Sequence, residues 1–334
     1  VNHQSVINLQ TRRENAVGVH SVDCVVFTVP ELGEAERFYT AFGLDVRRVG
    51  ERLDVYTHGG QHCWMSVYAS RQPKQLQYLR MGIYASDLDA MQERIASRGI
   101  GTAAHHLSDG GGLWLCTPDG VPLQIVVADK VSPSEKCRPL AARQVSPCQG
   151  AAPARSQVPQ VRPRTLSHVL LFTPDVVRML RFSEEVLGLR LSDRSGDGIA
   201  FIHGPHGSDH HLIAFARSDA PGLHHTSWDV GSVDEVGSGS EQMRTAGYAR
   251  GWGVGRHVLG SNYFFYVRDP WGSYAEYSFD IDFIPHDLEW PAADHPPEDS
   301  FYVWGPEVPN DFVTNFEQAT PMLSSDRQRH GHDV

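Results

Sequence analysis

Eighteen histidines in 334 residues are many, and three polar side chains in the second half lie inside strand-like runs. A polar group buried there needs a partner. His168 precedes Val169-Leu170-Leu171-Phe172, His225 lies within His224-His225-Thr226-Ser227-Trp228, and Glu276 lies within Tyr274-Ala275-Glu276-Tyr277. Two neutral imidazoles and a carboxylate form a facial set for a divalent metal, and an open opposite face suits high-spin Fe(II), which can then bind two further molecules. Spacing alone makes this a weak signal. So many histidines always yield some such trio, and a single strand histidine is more often a hydrogen-bonded structural residue.

The elements that must position these residues read as a duplication. In the first half a strand pattern, Cys24-Val25-Val26-Phe27-Thr28, leads into helical Glu34 to Tyr39 and a Gly43-Leu44 stop; in the second, Val169 to Thr173 leads into Val177 to Phe182 and stops at Gly188-Leu189. Phe27 to Gly43 and Phe172 to Gly188 are both steps of 16. A second pair of units follows. Leu79 to Tyr84 precedes a helix-like Leu88 to Ile95, and Leu223 to Trp228 precedes Val233 to Ala246. Each ends in a proline–glycine turn before a strand, Thr117-Pro118-Asp119-Gly120 and Asp269-Pro270-Trp271-Gly272. The expected fold is therefore α+β, with two domains of two paired βαβββ modules, each forming an open barrel around a cavity.

The expected boundaries are an amino-terminal arm at 1–19, a domain at 20–128, a proline-rich linker at 129–164, a second domain at 165–282 and an aromatic extension at 283–334 ending in a disordered tail. Aligning the halves by their glycine stops sets Asp23 opposite His168, Met81 opposite His225 and Gln124 opposite Glu276. That trio should bind no metal well. One half keeps only the shell, which three merely core-packing residues in the other would not explain.

Composition narrows the function classes. Twenty-nine Lys and Arg against 40 Asp and Glu leave a formal charge of −11, which opposes binding to a phosphate backbone. No apolar run reaches the 18 residues of a membrane span. The amino terminus lacks the order of a secretory signal, and five dispersed cysteines suggest reduced thiols, so a cytoplasmic protein is expected.

Residues 165–282 resemble the catalytic domain of the type I extradiol catechol dioxygenases of the vicinal oxygen chelate (glyoxalase-like) superfamily, and 20–128 resemble their metal-free domain. The resemblance rests on His168-Val-Leu-Leu-Phe-Thr-Pro-Asp, Asp209-His210-His211-Leu-Ile-Ala-Phe, Gly222-Leu-His224-His225-Thr, Gly255-Arg256-His257 and Tyr266-Val-Arg-Asp-Pro-Trp-Gly-Ser-Tyr-Ala-Glu276-Tyr, in the family's order. It implies that His168, His225 and Glu276 ligate Fe(II), with Mn(II) as the alternative. It also implies that His211 is the acid–base residue, with His210 the alternative, and that His257 and Tyr266 contact the catecholic hydroxyls. His203 and His206 flank the expected cavity and, with His210, could touch substrate. Without the resemblance, Tyr266 reads as a packed aromatic and His257 as a loop histidine.

The activity so implied is cleavage of a substituted catechol beside its diol by dioxygen, in a homo-oligomer serving the breakdown of aromatic compounds. The alternatives are a glyoxalase-like isomerase or lyase and a non-enzymatic binder of aromatic ligands. Trp290, Phe301, Tyr302 and Trp304 are candidates to complete the cavity.

Overall fold

The computed structural model describes residues 12–141 and 144–318. The tail after Ser325 and most of the amino-terminal arm lie outside the described residues. The first half runs β1 (Ser21–Val29), α1 (Leu32–Ala41), β2 (Asp45–Val49), β3 (Arg52–Tyr56), β4 (Met65–Ala69), β5 (Gln75–Ile83), α2 (Leu88–Arg98), β6 (Leu113–Cys116) and β7 (Pro122–Val127). Its sheet has the order β2-β3-β4-β1-β5-β7-β6.

The second half runs β8 (Thr165–Thr173), α3 (Val176–Glu185), β9 (Arg190–Ser195), β10 (Ile199–His203), β11 (Ser208–Asp209), β12 (Ile213–Arg217), β13 (Gly222–Asp229), α4 (Val233–Thr245), β14 (Gly251–His257), β15 (Tyr263–Arg268) and β16 (Tyr274–Phe279). The chain continues through β17 (Phe283–Ile284), β18 (Ala293–Asp294), α5 (Pro297–Ser300) and β19 (Tyr302–Trp304). The larger sheet has the order β18-β9-β10-β12-β8-β13-β16-β15-β14-β19. Its interior repeats the first sheet strand for strand, with β8 and β13 at the centre as β1 and β5 are in the other.

One departure from the expected repeat matters. The second unit of the first half keeps only β5, β6 and β7, and an isolated bridge from Gly101 to Leu115 stands where the other half has β14. The carboxyl-terminal extension does not fold separately. It adds β18 to one edge of the second sheet and β19 to the other, and pairs β17 with β11.

The central strands are apolar almost throughout because both faces are covered, by helices on one side and by the concave interior on the other. Val169 and Leu171 join the main core, whereas Leu170 and Phe172 face inward with Ala214. Helices α3 and α4 are capped by side chains: Asp175 accepts from Arg178 N at 2.9 Å and Ser232 from Glu235 N at 3.1 Å. Gly43 (φ 97°) and Gly188 (φ 69°) end α1 and α3 in the left-handed region. A Cβ at either would run into a backbone carbonyl, of Val161 and Val17 respectively. One core spans both halves. Phe42 stacks on Tyr277 at 4.0 Å, Tyr277 donates to the Phe42 carbonyl at 2.8 Å, and Lys74 pairs with Asp269 in a buried contact. No helix among the described residues is long and apolar enough to cross a membrane, and the five cysteines are free.

Candidate metal centre and its cavity

Strand register brings the three candidate ligands together. β13 lies between β8 and β16, and Ser227 on it pairs with His168 on one side and Glu276 on the other. His225 lies two residues from Ser227, and alternation along a strand returns it to the same face. A bulge at His224 interrupts the β8–β13 ladder between Leu223 and His225, and a second lies between Ser227 and Trp228. Such bulges re-aim side chains beside functional sites. His168 Nε2 is 3.3 Å and His225 Nε2 is 3.5 Å from the same oxygen, Glu276 Oε2. All three ligand atoms lie within 4.8 Å of one another, and all three residues are buried.

Neighbouring hydrogen bonds fix which nitrogen of each ring carries its proton. His224 Nε2 is 2.8 Å from the Phe312 carbonyl, which can only accept, so Nε2 holds the proton and Nδ1 a lone pair. His225 Nδ1, 2.6 Å from His224 Nδ1, must therefore donate, which leaves His225 Nε2 bare and aimed at Glu276. His168 Nδ1 is 3.2 Å from Ser167 Oγ, whose own proton goes to Asp209 Oδ2 at 2.8 Å. His168 Nε2 is thereby also bare. Asn262 donates to Glu276 Oε1 at 3.1 Å and holds the carboxylate in orientation.

Electrostatics agree with that assignment. Burial, reinforced by neighbouring histidines, pushes His225 well below the usual imidazole range. For Glu276, burial alone would raise the carboxyl, and the net downward shift needs positive charge at His168 and His257, a charge that a bound cation supplies when the rings are neutral. His225 Nε2 and Glu276 Oε2 are buried without a hydrogen-bond partner. Orphaned buried polar atoms are costly, and two facing each other, with neutral imidazoles and an ionised carboxylate, fit a divalent cation bound between them. The donor set suits a divalent metal.

The other expected residues surround this centre. The His211 ring lies 4.0 Å from the His168 ring. His257 Nδ1 donates to the Phe301 carbonyl at 2.9 Å, so its Nε2 accepts the Tyr266 hydroxyl proton at 2.9 Å. His257 Nε2 is 3.9 Å from Glu276 Oε1, and Tyr266 pairs with Glu276 across β15 and β16. Burial pushes both in the uncharged direction, His257 down and Tyr266 well up. A cavity of about 560 Å³ opens over the centre, lined by His168, His225, His211, His257 and Tyr266 and by the apolar Leu170, Phe201 and Phe301.

Three expectations do not survive. His203, His206 and His210 are buried but do not line the cavity. His203 is bonded to Ser192 Oγ at 2.8 Å, His210 stands behind His211, and His206 lies 3.6 Å from Asp87 between the halves. Of the four extension aromatics, only Phe301 reaches the cavity, together with Phe312 and Val313. Trp290 instead packs on His210, and Trp304 is exposed. Asn262, Ser167 and Asp209 were not expected at the centre. Asn262 and Ser167 carry no motif, and Asp209 stood out only as the residue before His210.

The first half occupies the equivalent space differently. Its β1–β5 ladder has bulges between Val22 and Cys24 and between Val26 and Phe27, matching the two of β8–β13. Register then sets Cys24 at the place of His168 and Tyr78 at that of His225, while Gln124, paired with Arg80 as Glu276 is with Ser227, keeps its expected place. The alignment with Asp23 and Met81 is therefore corrected. A slip of an odd number of residues moves a side chain to the opposite face, and Met81 lies in the helix-side core. Cys24 and Tyr78 pack with Val26 and Trp114, and Gln124 is bonded to the Gly111 carbonyl at 2.9 Å.

Residues 165–277 match the Glyoxalase/Bleomycin resistance protein/Dioxygenase superfamily. The chain is 51% identical over 300 residues to Metapyrocatechase 2 of Cupriavidus necator, covering 90% of this chain and 93% of that protein. Two solved structures share the fold. An extradiol ring-cleaving dioxygenase from B. fuscum has a TM-score of 0.71 at 17% identity, covering 90% of this chain and 83% of the other. A Mn(II)-bound glyoxalase from Novosphingobium aromaticivorans has a TM-score of 0.68 at 24% identity, covering 86% and 92%.

Proposed function

Because the chain belongs to the extradiol ring-cleaving dioxygenases of the vicinal oxygen chelate superfamily, we propose that it is a ferrous enzyme opening uncharged alkyl- or aryl-substituted catechols with dioxygen. The observation that carries the reading is the pair of bare, inward-facing nitrogens of His168 and His225, fixed by Ser167 and His224, opposite the orphaned Glu276 oxygen. His168, His225 and Glu276 would hold the metal. When bound, the ferrous ion brings diol and dioxygen to one centre and favours the ionised catechol.

The remaining work falls to side chains. The Tyr266 hydroxyl and His257 Nε2 stand side by side near Glu276 and hold the two substrate oxygens, with His257 accepting a hydroxyl proton. His211, lining the cavity beside His168, presents Nε2 to the substrate. As general base and then general acid it contributes about 10²–10⁴-fold. A glyoxalase-like isomerisation has no use for this set, since it steers neither dioxygen nor a catecholate. Leu170, Phe201 and Phe301 form an apolar wall, and the cavity volume of about 560 Å³ is ligand-sized. The charged side chains of the lining, Asp197 and Arg217, belong to β-strand ends and turns away from the ligands. An uncharged substituent therefore fits better than a carboxylated one.

The test is anaerobic loading with Fe(II), or with Mn(II), followed by a panel of catechol, alkylcatechols, 2,3-dihydroxybiphenyl and a carboxylated catechol. The expected result is stoichiometric oxygen uptake and a visible-absorbing product with the uncharged substituted diols, faster with Fe(II). Metal-loaded protein that leaves every diol intact in air overturns the proposal.

A further inference from the structure

Behind His211 lies a second histidine pair built like the one behind the metal. His211 Nδ1 is 3.0 Å from His210 Nδ1, as His225 Nδ1 is 2.6 Å from His224 Nδ1. His210 Nε2 is in turn 2.9 Å from Asp193 Oδ2 on β9. Asp193 is held from several sides: Oδ1 accepts from Ala293 N at 3.0 Å and lies 2.9 Å from His295 Nε2, and Oδ2 accepts from Trp290 Nε1 at 3.2 Å. Burial alone would raise this carboxyl, but hydrogen bonds from His210 and His295 hold it below the usual carboxylate range.

We propose that Asp193, acting through His210, is a positioning residue for His211: it fixes the tautomer of His210, which fixes that of His211. The ionised carboxylate can only accept, so His210 carries its proton on Nε2 and a lone pair on Nδ1. His211 must then carry its proton on Nδ1 and turn a bare Nε2 to the cavity. Two like nitrogens facing each other exclude the opposite arrangement unless the whole chain of protons reverses. The proposal rests on the reading of His211 given above. It also gives the segment from Trp290 to His295 a task, because three of its groups fix the carboxylate in place.

Asp193→Asn tests it. With the carbonyl oxygen of Asn kept on the Oδ1 side for the shorter bond from the Ala293 N–H, 3.0 Å against 3.2 Å from Trp290 Nε1, the amide nitrogen faces His210 Nε2, gives up the Trp290 bond and reverses both tautomers. The expected result is a kcat at least about 10²-fold lower, as when an acid that orients a catalytic histidine is made an amide, with catechol KM and bound metal little changed. Nitrogen chemical shifts of the metal-free protein should show the His211 proton moved from Nδ1 to Nε2. Asp294→Ala, which removes the ion pair with Arg194 and the bond from Gly196 N, loosens the same segment without touching Asp193 or His210, and kcat should stay within about threefold. An unchanged tautomer, an unchanged kcat in Asp193→Asn, or an Asp294→Ala enzyme as slow as Asp193→Asn overturns the proposal, the last by reducing Asp193 to a fastener. His211→Phe separates the two readings. Full turnover there refutes the role of His211 itself, while the nitrogen shifts still decide whether Asp193 sets the tautomer.

Discussion

The two halves share a sheet order, a helix placement and even a pair of bulges, yet one is filled where the other is hollow. At the positions of His168, His225 and Glu276 the first half has Cys24, Tyr78 and Gln124, and Trp114 closes on them. The second half leaves its concave face open and lines it with polar groups whose protons are assigned by neighbours such as Ser167, His210 and His224. The fold by itself therefore supplies a curved sheet with two re-aimed positions on its central strands. Whether that becomes core or a reaction site depends on what the bulged residues carry and on what stands behind them.

The comparison breaks most completely at the carboxylate. Glu276→Ala leaves two imidazoles and should abolish stoichiometric iron and all ring cleavage; iron measured at one per chain would remove Glu276 from the ligand set. His211→Phe comes next. It should keep the metal while lowering kcat by at least about 10², and an unaltered steady-state rate would return His211 to the status of a packed ring. His224→Phe tests whether the histidine behind a ligand matters, with an expected 10–100-fold weaker metal affinity, read by competition with a chelator.

A smaller effect concerns pH. Burial raises the Asp209 carboxyl from 3.8 to about 7. A group raised in the folded state stabilises most below its unfolded value, and that contribution is lost as pH rises through the folded value. The metal-free protein should thus lose stability through this group between about pH 4 and 7, and Asp209→Asn should flatten that slope in denaturant titrations; parallel slopes would count against it. The smallest effect on turnover is expected in the first half. Gln124→Glu restores a carboxylate there without its imidazoles, so metal should stay at one per chain and kcat should not change, while the melting temperature falls because the new charge is buried without a cation.

Much of this was legible in the residues. The types and order of His168, His211, His225, His257, Tyr266 and Glu276 pointed to the centre, and the two glycine stops pointed to the duplication. Legibility failed where pairing is non-local. The steps of 16 from Phe27 and Phe172 aligned the halves one residue out, because the link from α3 to Gly188 is one residue longer than that from α1 to Gly43, which a one-dimensional spacing does not reveal. His210 was expected in the cavity because adjacency in sequence does not say which of two neighbouring side chains turns inward, and His203 because its place at the end of β10 does not say which face it takes. The extension gave its aromatics by composition, but only folding selected Phe301 over Trp290 and Trp304.

The sequence by itself determined the chemistry that is possible: two imidazoles and an acid that can share a cation, a further histidine and a tyrosine able to handle protons, and a repeat that must pair to bury its strands. The tertiary structure decided which atoms do so. A proton's place on His225 is set by a carbonyl at Phe312, and that of His210 by a carboxylate at Asp193. Hydrogen bonds are directional and short, so the state of each ring depends on partners that only folding brings within 3 Å.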